Sequence, residues 1–124
     1  MDLYQQEILE HFKHPHHHGK INDANITQKE RNSSCGDELT FYLQVDGEKV
    51  VNVSFEGDGC AISQAAASML TDEIIGKKLT EIKIFSKEKI IELLGIDLGP
   101  TRLKCALLSL QGIQQAIKKL PNIS

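Results

Sequence analysis

The sequence predicts an α+β fold, in which a small antiparallel β-sheet of about three strands carries helices packed on one face. Three observations point there. Apolar and polar residues alternate with period two from Leu39 to Phe55, broken by one turn; the chain after Gly59 is patterned with helical period; and the strands precede most of the helices instead of alternating with them. At 124 residues, with 40% hydrophobic and 25% charged content, one globular domain spanning 1–124 is expected, without linker or repeat. Aromatic residues make up only 5% and Trp is absent, so the core has to be built from Leu, Ile, Val and Ala.

Residues 2–13 read as the first helix. Tyr4, Ile8 and Phe12 recur one turn apart, Leu9 widens the stripe, Asp2 can cap the start, and Pro15 and Gly19 end it. Residues 26–31 suit a short edge strand. In "ELTFYLQV" Leu39, Phe41, Leu43 and Val45 alternate with more polar positions, "DGEK" at 46–49 turns the chain, and Val51, Val53 and Phe55 continue the alternation. From Ala61 to about Ile75 a helix places Ile62, Ala65, Ala66, Met69 and Leu70 on one face and ends at Gly76. "LTEIKIF" and "SKEKIIELLG" predict two short helices, the second with Ser86 as N-cap. A last helix from about Thr101 to Leu120 carries Leu103, Ala106, Leu107, Leu110, Ile113 and Ile117 on one stripe.

The composition excludes some functions. A net charge of −3 with dispersed Lys residues argues against a nucleic-acid binder. No apolar run is long enough to span a membrane, and the amphipathic N-terminus does not resemble a secretory signal, so a cytoplasmic location is expected. The histidine-rich stretch "HPHHHG" (14–19) reads as a surface loop near a partner, because consecutive His residues point in different directions and seldom close one coordination sphere.

The three cysteines fall at joins between elements. Cys35 lies in the polar turn "SSCGDEL", one glycine from Asp37. Cys60 follows "EGDG" and opens the Ala-rich helix. Cys105 is expected in the first turn of the last helix, beside Arg102 and Lys104. A helix N-terminus favours the thiolate, which is both nucleophile and metal ligand. If the joins meet at one end of the sheet, Cys35, Asp37, Cys60 and Cys105 offer zinc a tetrahedral donor set, with the carboxylate the most exchangeable member. There is no CxxC, and spacing alone leaves a metal site, a reactive thiol and ordinary buried cysteines all open.

"SSCGDEL", "VSFEGDGCAISQAAASML" and "RLKCALLSLQGIQQAI", together with "LYQQEILEHFKHPHHHG", resemble the U-type iron–sulfur cluster assembly proteins, the IscU/NifU N-terminal family, over nearly the whole chain. The resemblance implies a metal and cluster site at Cys35, Asp37, Cys60 and Cys105 that holds zinc, iron or a transient iron–sulfur cluster, with Asp37 as labile ligand. It implies a PLP-dependent cysteine desulfurase as sulfur donor and acceptor apoproteins as downstream partners. The "AISQAAASML" helix, and Lys104 where an IscU usually carries His, are similar to the SufU branch, in which zinc-bound proteins relay persulfide sulfur. That match makes Cys35 the persulfide acceptor and Arg102 and Lys104 its electrostatic neighbours. The SufU insertion is missing between Gly76 and Arg102, and the IscU chaperone-binding segment "LPPVK" is represented by "LGPTR". The implied role is thus a cluster scaffold or sulfur relay, not an enzyme in the ordinary sense. Two rivals are a thiol-dependent hydrolase or reductase, which needs a His or a second Cys near the nucleophile although all five His lie in the first 18 positions, and a zinc-stabilised interaction domain without sulfur chemistry.

Overall fold

A computed structural model describes residues 2–32 and 36–120. The elements in chain order are α1 (Leu3–Lys13), β1 (Ile26–Asn32), β2 (Asp37–Asp46), β3 (Lys49–Asp58), α2 (Ala61–Ile74), α3 (Leu79–Lys83), α4 (Lys87–Leu94) and α5 (Pro100–Lys118). The three strands form one antiparallel sheet in the order β1-β2-β3. Leu39, Phe41, Leu43, Val53 and Phe55 point from one face into the core, where α5 covers β1 and β2 and α2 leans on β3. The α+β architecture expected from the sequence is the one found.

The details sharpen four expectations. On α1 the buried residues are Ile8 and His11, whereas Tyr4 and Phe12 are 52% and 42% exposed. The helix does begin as its sequence suggests: Asp2 accepts the Gln5 amide, and the Gln5 side chain reaches back to the Asp2 amide in a capping box. In β3 the alternation slips. Pairing passes from Gln44↔Asn52 to Val45↔Val50, so Val51 is an extra residue, turns outward and is 47% exposed, while Val50 is fully buried. On α2 the expected single face is too narrow, because Ala65 to Thr71 are all buried and the helix runs through the interior between α1, α5, α4 and β3. Ser86 occupies the N-cap position of α4, yet its hydroxyl donates to the Glu88 carboxylate rather than capping a backbone amide.

The outer edge of β3 is closed by chain that is neither helix nor strand. The Phe55 amide donates to the His17 carbonyl, Gly19 returns a bond to the Phe55 carbonyl, and Val50 exchanges bonds with Gly76 and Lys77. Edge groups that would otherwise template another chain are thereby consumed.

Two expected outcomes follow from this packing. A Cβ at Gly112 on α5 would lie 2.7 Å from the ring of Phe41, which is fully buried against Phe55 and has nowhere to swing. Gly112→Ala gains about 1 kcal/mol of helix propensity but overpacks the helix–sheet contact at a cost of about 2–3 kcal/mol. A net loss of about 1–2 kcal/mol is expected in urea titrations with unchanged slope. On the outer face of the sheet, the Tyr42 hydroxyl donates to Glu56 at 2.5 Å, and this bond to the carboxylate, aided by burial, pushes the phenol up from 10.0 to about 12. Because the folded value lies above the ordinary one, the stability this bond supplies is fully present below pH 10 and is lost as pH rises from 10 toward 12. Tyr42→Phe should flatten that alkaline loss, and the Tyr42 ring resonance should titrate at a lower pH in Glu56→Gln.

Candidate metal and sulfur site

Asp37 is the first residue of β2 and stands opposite Asn32 at the end of β1, so the segment carrying Cys35 is the short connection between two paired strands. Cys35 itself lies outside the described residues. At the same end of the sheet β3 finishes at Asp58, and the chain turns through Gly59 into α2. Glycine is required in this corner. Gly57 has a φ of +144°, and a Cβ there would come within 2.1 Å of the Glu38 carbonyl oxygen. At Gly59 a Cβ would fall 2.3 Å from the Ser63 hydroxyl and 3.3 Å from the Asp37 carboxyl carbon.

With those side chains absent, the Asp37 carboxylate reaches the start of α2, where its Oδ1 accepts the Cys60 amide at 3.1 Å. Cys60 is the N-cap of α2 by backbone conformation, and the carboxylate takes over the capping that a cysteine side chain does poorly. Ser63, fully buried, donates to the Cys60 carbonyl at 3.1 Å, and Gln64 donates to the Gly57 carbonyl at 3.0 Å. Loop and helix start are fixed from several sides.

Cys105 comes to this corner from α5. It is the sixth residue of that helix, in the second turn and not the first as expected, because Pro100 already begins the helix. The favourable field of a helix N-terminus fades within the first turn, so among the described cysteines it acts mainly on Cys60. One donor atom each from Asp37, Cys60 and Cys105 lie within 4.8 Å of one another. Asp37 and Cys105 are each 4% exposed, whereas Cys60 is open to solvent. Two thiols and a carboxylate held this closely, with one thiol accessible, can converge on a borderline-soft divalent cation such as zinc. The donor chemistry therefore fits the metal that the sequence suggests.

Arg102 and Lys104 are both exposed and lie in different grooves. Lys104 lines one with Arg31, Asn32, Leu107 and Gln111, next to the end of β1, while Arg102 lines another with Gln5, Ile8, Leu9, Ile62 and Ile96 beside α1. Two residues apart on a helix, they flank the Cys105 side of α5 from different directions. The structure also gathers a second group that sequence spacing does not reveal, His11, His16 and Asp72. His11 and Asp72 are 61 positions apart, and only the packing of α1 on α2 unites them. Burial, and then the neighbouring His16, lower the pKa of His11 below its ordinary value.

Comparison with known proteins identifies the family. The family described as "NifU-like N terminal domain" matches residues 3–124. The chain is 35% identical to the "Iron-sulfur cluster assembly scaffold protein IscU" of Thermotoga maritima, covering 95% of this chain and 94% of that protein. It is 37% identical to the "Zinc-dependent sulfurtransferase SufU" of Bacillus subtilis, covering 94% and 90% respectively. Among solved structures, FiSufU from Fervidobacterium islandicum AW-1 superposes with a TM-score of 0.78 at 35% identity, over 90% of this chain and 94% of that one. The N-terminal domain of a NifU-like protein from Brucella abortus shares the fold, with a TM-score of 0.79 at 19% identity over 98% and 96% of the two chains. Site geometry, fold and sequence converge, and the chain belongs to the U-type iron–sulfur cluster assembly proteins.

Proposed function

We propose that Cys35, Asp37, Cys60 and Cys105 form one metal and sulfur site, through which the protein accepts persulfide sulfur from a PLP-dependent cysteine desulfurase and supplies it to iron–sulfur clusters. The observation that carries this reading is the convergence of Asp37, Cys60 and Cys105 within 4.8 Å at one corner of the fold. Cys35, separated from Asp37 by a single glycine in the chain, is the fourth member and the persulfide acceptor. Zinc held by these four residues would supply Lewis-acid stabilisation of thiolates at neutral pH and would tie the β1–β2 connection to the starts of α2 and α5.

The chain's own groups perform the sulfur chemistry. The Cys35 thiolate attacks the outer sulfur of the desulfurase persulfide. That S–S bond breaks, the desulfurase cysteine departs as thiolate, and a new S–S bond leaves the persulfide on Cys35. Lys104 and Arg102 offer positive charge on two sides of the approach, which favours the thiolate and the anionic persulfide. Asp37, buried and bound to the Cys60 amide, keeps α2 and the strand end in register while the hard carboxylate remains the easiest of the four ligands to exchange. Sulfur so received enters a cluster on this protein or passes to acceptor apoproteins.

The test combines a cysteine desulfurase, cysteine and the zinc-loaded protein, with persulfide located on each cysteine by mass spectrometry. Persulfide is expected on Cys35 and is expected to vanish in Cys35→Ser; sulfur that stays on the desulfurase, or settles on Cys60 or Cys105 alone, would overturn the assignment. Addition of iron distinguishes two fates, a visible chromophore marking cluster assembly on the chain and its absence marking relay. Zinc at one hundred times its dissociation constant should raise stability by about 2.7 kcal/mol, and Asp37→Ala should reduce that increment. An identical melting curve with and without chelator counts against a metal at this site.

A further inference from the structure

We infer that His11, His16 and Asp72 form a second site, for a divalent transition-metal ion such as Zn²⁺ or Ni²⁺, separate from the cysteine corner. The donors come from three segments. His11 lies in the last turn of α1, His16 in the loop that follows, and Asp72 in the last turn of α2. One ring nitrogen from each histidine and one carboxylate oxygen lie within 4.8 Å of one another, and the two imidazoles sit with centroids 4.4 Å apart. Two imidazoles and a carboxylate are a donor set suited to zinc, nickel or iron and poorly suited to magnesium or calcium, which prefer all-oxygen shells. Along α2, Asp72 is twelve residues beyond Cys60, which places the two sites about 18 Å apart on one helix.

The supporting groups make this more than a chance meeting of polar side chains. Ser68, one turn before Asp72 and fully buried, contacts His11 Nδ1 at 2.7 Å and accepts the His16 amide at 2.7 Å. One hydroxyl thereby sets the orientation of the His11 ring and the backbone position of His16, the role that outer partners play around metal-binding histidines. His11 is itself 8% exposed, so its imidazole has little freedom to leave. The loop is anchored independently, since the His17 carbonyl accepts the Phe55 amide at 2.9 Å and Gly19 donates to the Phe55 carbonyl. His17 holds a left-handed φ of 54°, uncommon outside glycine, and its ring meets Asp72 Oδ1 at 2.9 Å. His16 Nδ1 stands 2.5 Å from Asp72 Oδ2. His16 Nδ1 and Asp72 Oδ2 stand closer than the separation of about 3.3 Å that ligands of a tetrahedral zinc require, and both belong to exposed side chains with room to rotate apart around an ion.

Around it the surroundings are acidic. Glu7 approaches His11 at 3.8 Å, and Glu7, His11, Asp72 and Glu73 line one groove between α1 and α2. Glu73 is engaged by Lys89, and Lys77 also stands within ion-pair distance of it, leaving Glu7 as the additional carboxylate nearest the histidines. A cation is therefore drawn to this groove, and once bound it would join α1, the histidine loop and α2 in one cross-link. The alternative is a set of exposed His–carboxylate pairs, which would contribute little and would not respond to metal.

The experiment uses the full chain, stripped of metal and then titrated with Ni²⁺, with Zn²⁺ in a parallel series. Paramagnetic broadening by Ni²⁺ in backbone amide spectra is expected around His16, Ser68 and Asp72, distinct from any broadening around Cys60. Two exposed positions are replaced together in His16→Gln/Asp72→Asn, and the metal-free melting temperature shows whether the variant folds. It should lose at least about tenfold in affinity at this site while ions held at the cysteine corner bind as before. His16→Gln alone, which spares α2, provides the same comparison if the double variant is unstable. Broadening confined to the Cys60 end, or a variant that binds as tightly as the wild type, would overturn the proposal.

Discussion

The burial of α2 is the constraint on which the rest of the structure depends. From Ala65 to Thr71 every residue is buried, and this is possible because five of those seven are Ala, Ser or Thr. Small side chains let α1, α5 and β3 approach one helix closely, and the buried hydroxyls find local partners. Thr71 donates to the Ser68 carbonyl at 2.7 Å, and on α5 the buried Ser109 likewise donates to the Ala106 carbonyl at 3.0 Å. Larger residues here would push the surrounding elements outward, and the corner where Cys60 meets Asp37 and Cys105 would open with them.

That corner places chemistry where the packing is least able to move. A carboxylate that is 4% exposed loses hydration and needs compensation. Part comes from the Cys60 amide, an orphan donor at the start of α2 in any case, and the positive end of that helix favours the charge. The same hydrogen bond therefore has two effects: it caps a helix whose first residue before the apolar run is a cysteine, and it holds the carboxylate close to two thiols. The close approach of β2, β3 and the start of α2 depends on Gly57 and Gly59, where a single methyl group would strike the Glu38 carbonyl or the buried Ser63 hydroxyl.

Much of this was legible in the sequence, and what was not has identifiable physical causes. The hairpin of β2 and β3 follows from alternation and from "DGEK", because a sheet with one buried face writes its register into period two. Val51 escaped that logic, since a bulge adds a residue without any compositional mark. Its neighbour Val50 is equally apolar, and only pairing decides which turns inward. Tyr4 and Phe12 looked like core by spacing, yet both are exposed, Tyr4 at the groove between α1 and α2, while His11 takes the buried position. The three cysteine joins were readable as possible ligands, but spacing left open whether they meet; the fold brings Cys60 and Cys105 to Asp37, and Cys105 falls one turn later in its helix than its sequence context suggested. Nothing in the local sequence tied Asp72 to His16, because contacts made across 56 positions leave no periodic signature.

The unequal exposure within the cysteine corner has a directional consequence. Cys105 and Asp37 are closed off by α5 and by the strand ends, whereas Cys60 is open, and the connection that carries Cys35 joins the same end of the sheet. The proposed sulfur donor would meet the site from that end, since the opposite end of the β2–β3 ladder is its 46–49 turn and the outer edge of β3 is covered by residues 17–19 and 76–79. Lys104 and Arg102 stand on different flanks of the approach and would meet an acidic rim on the incoming surface. Replacement of the Asp37 carboxylate by an incoming ligand would leave the core unchanged, because the backbone of Asp37 and Cys105 is held by elements whose register the core already sets. A site that is rigid at its base and open at its lip suits the sulfur transfer proposed for it.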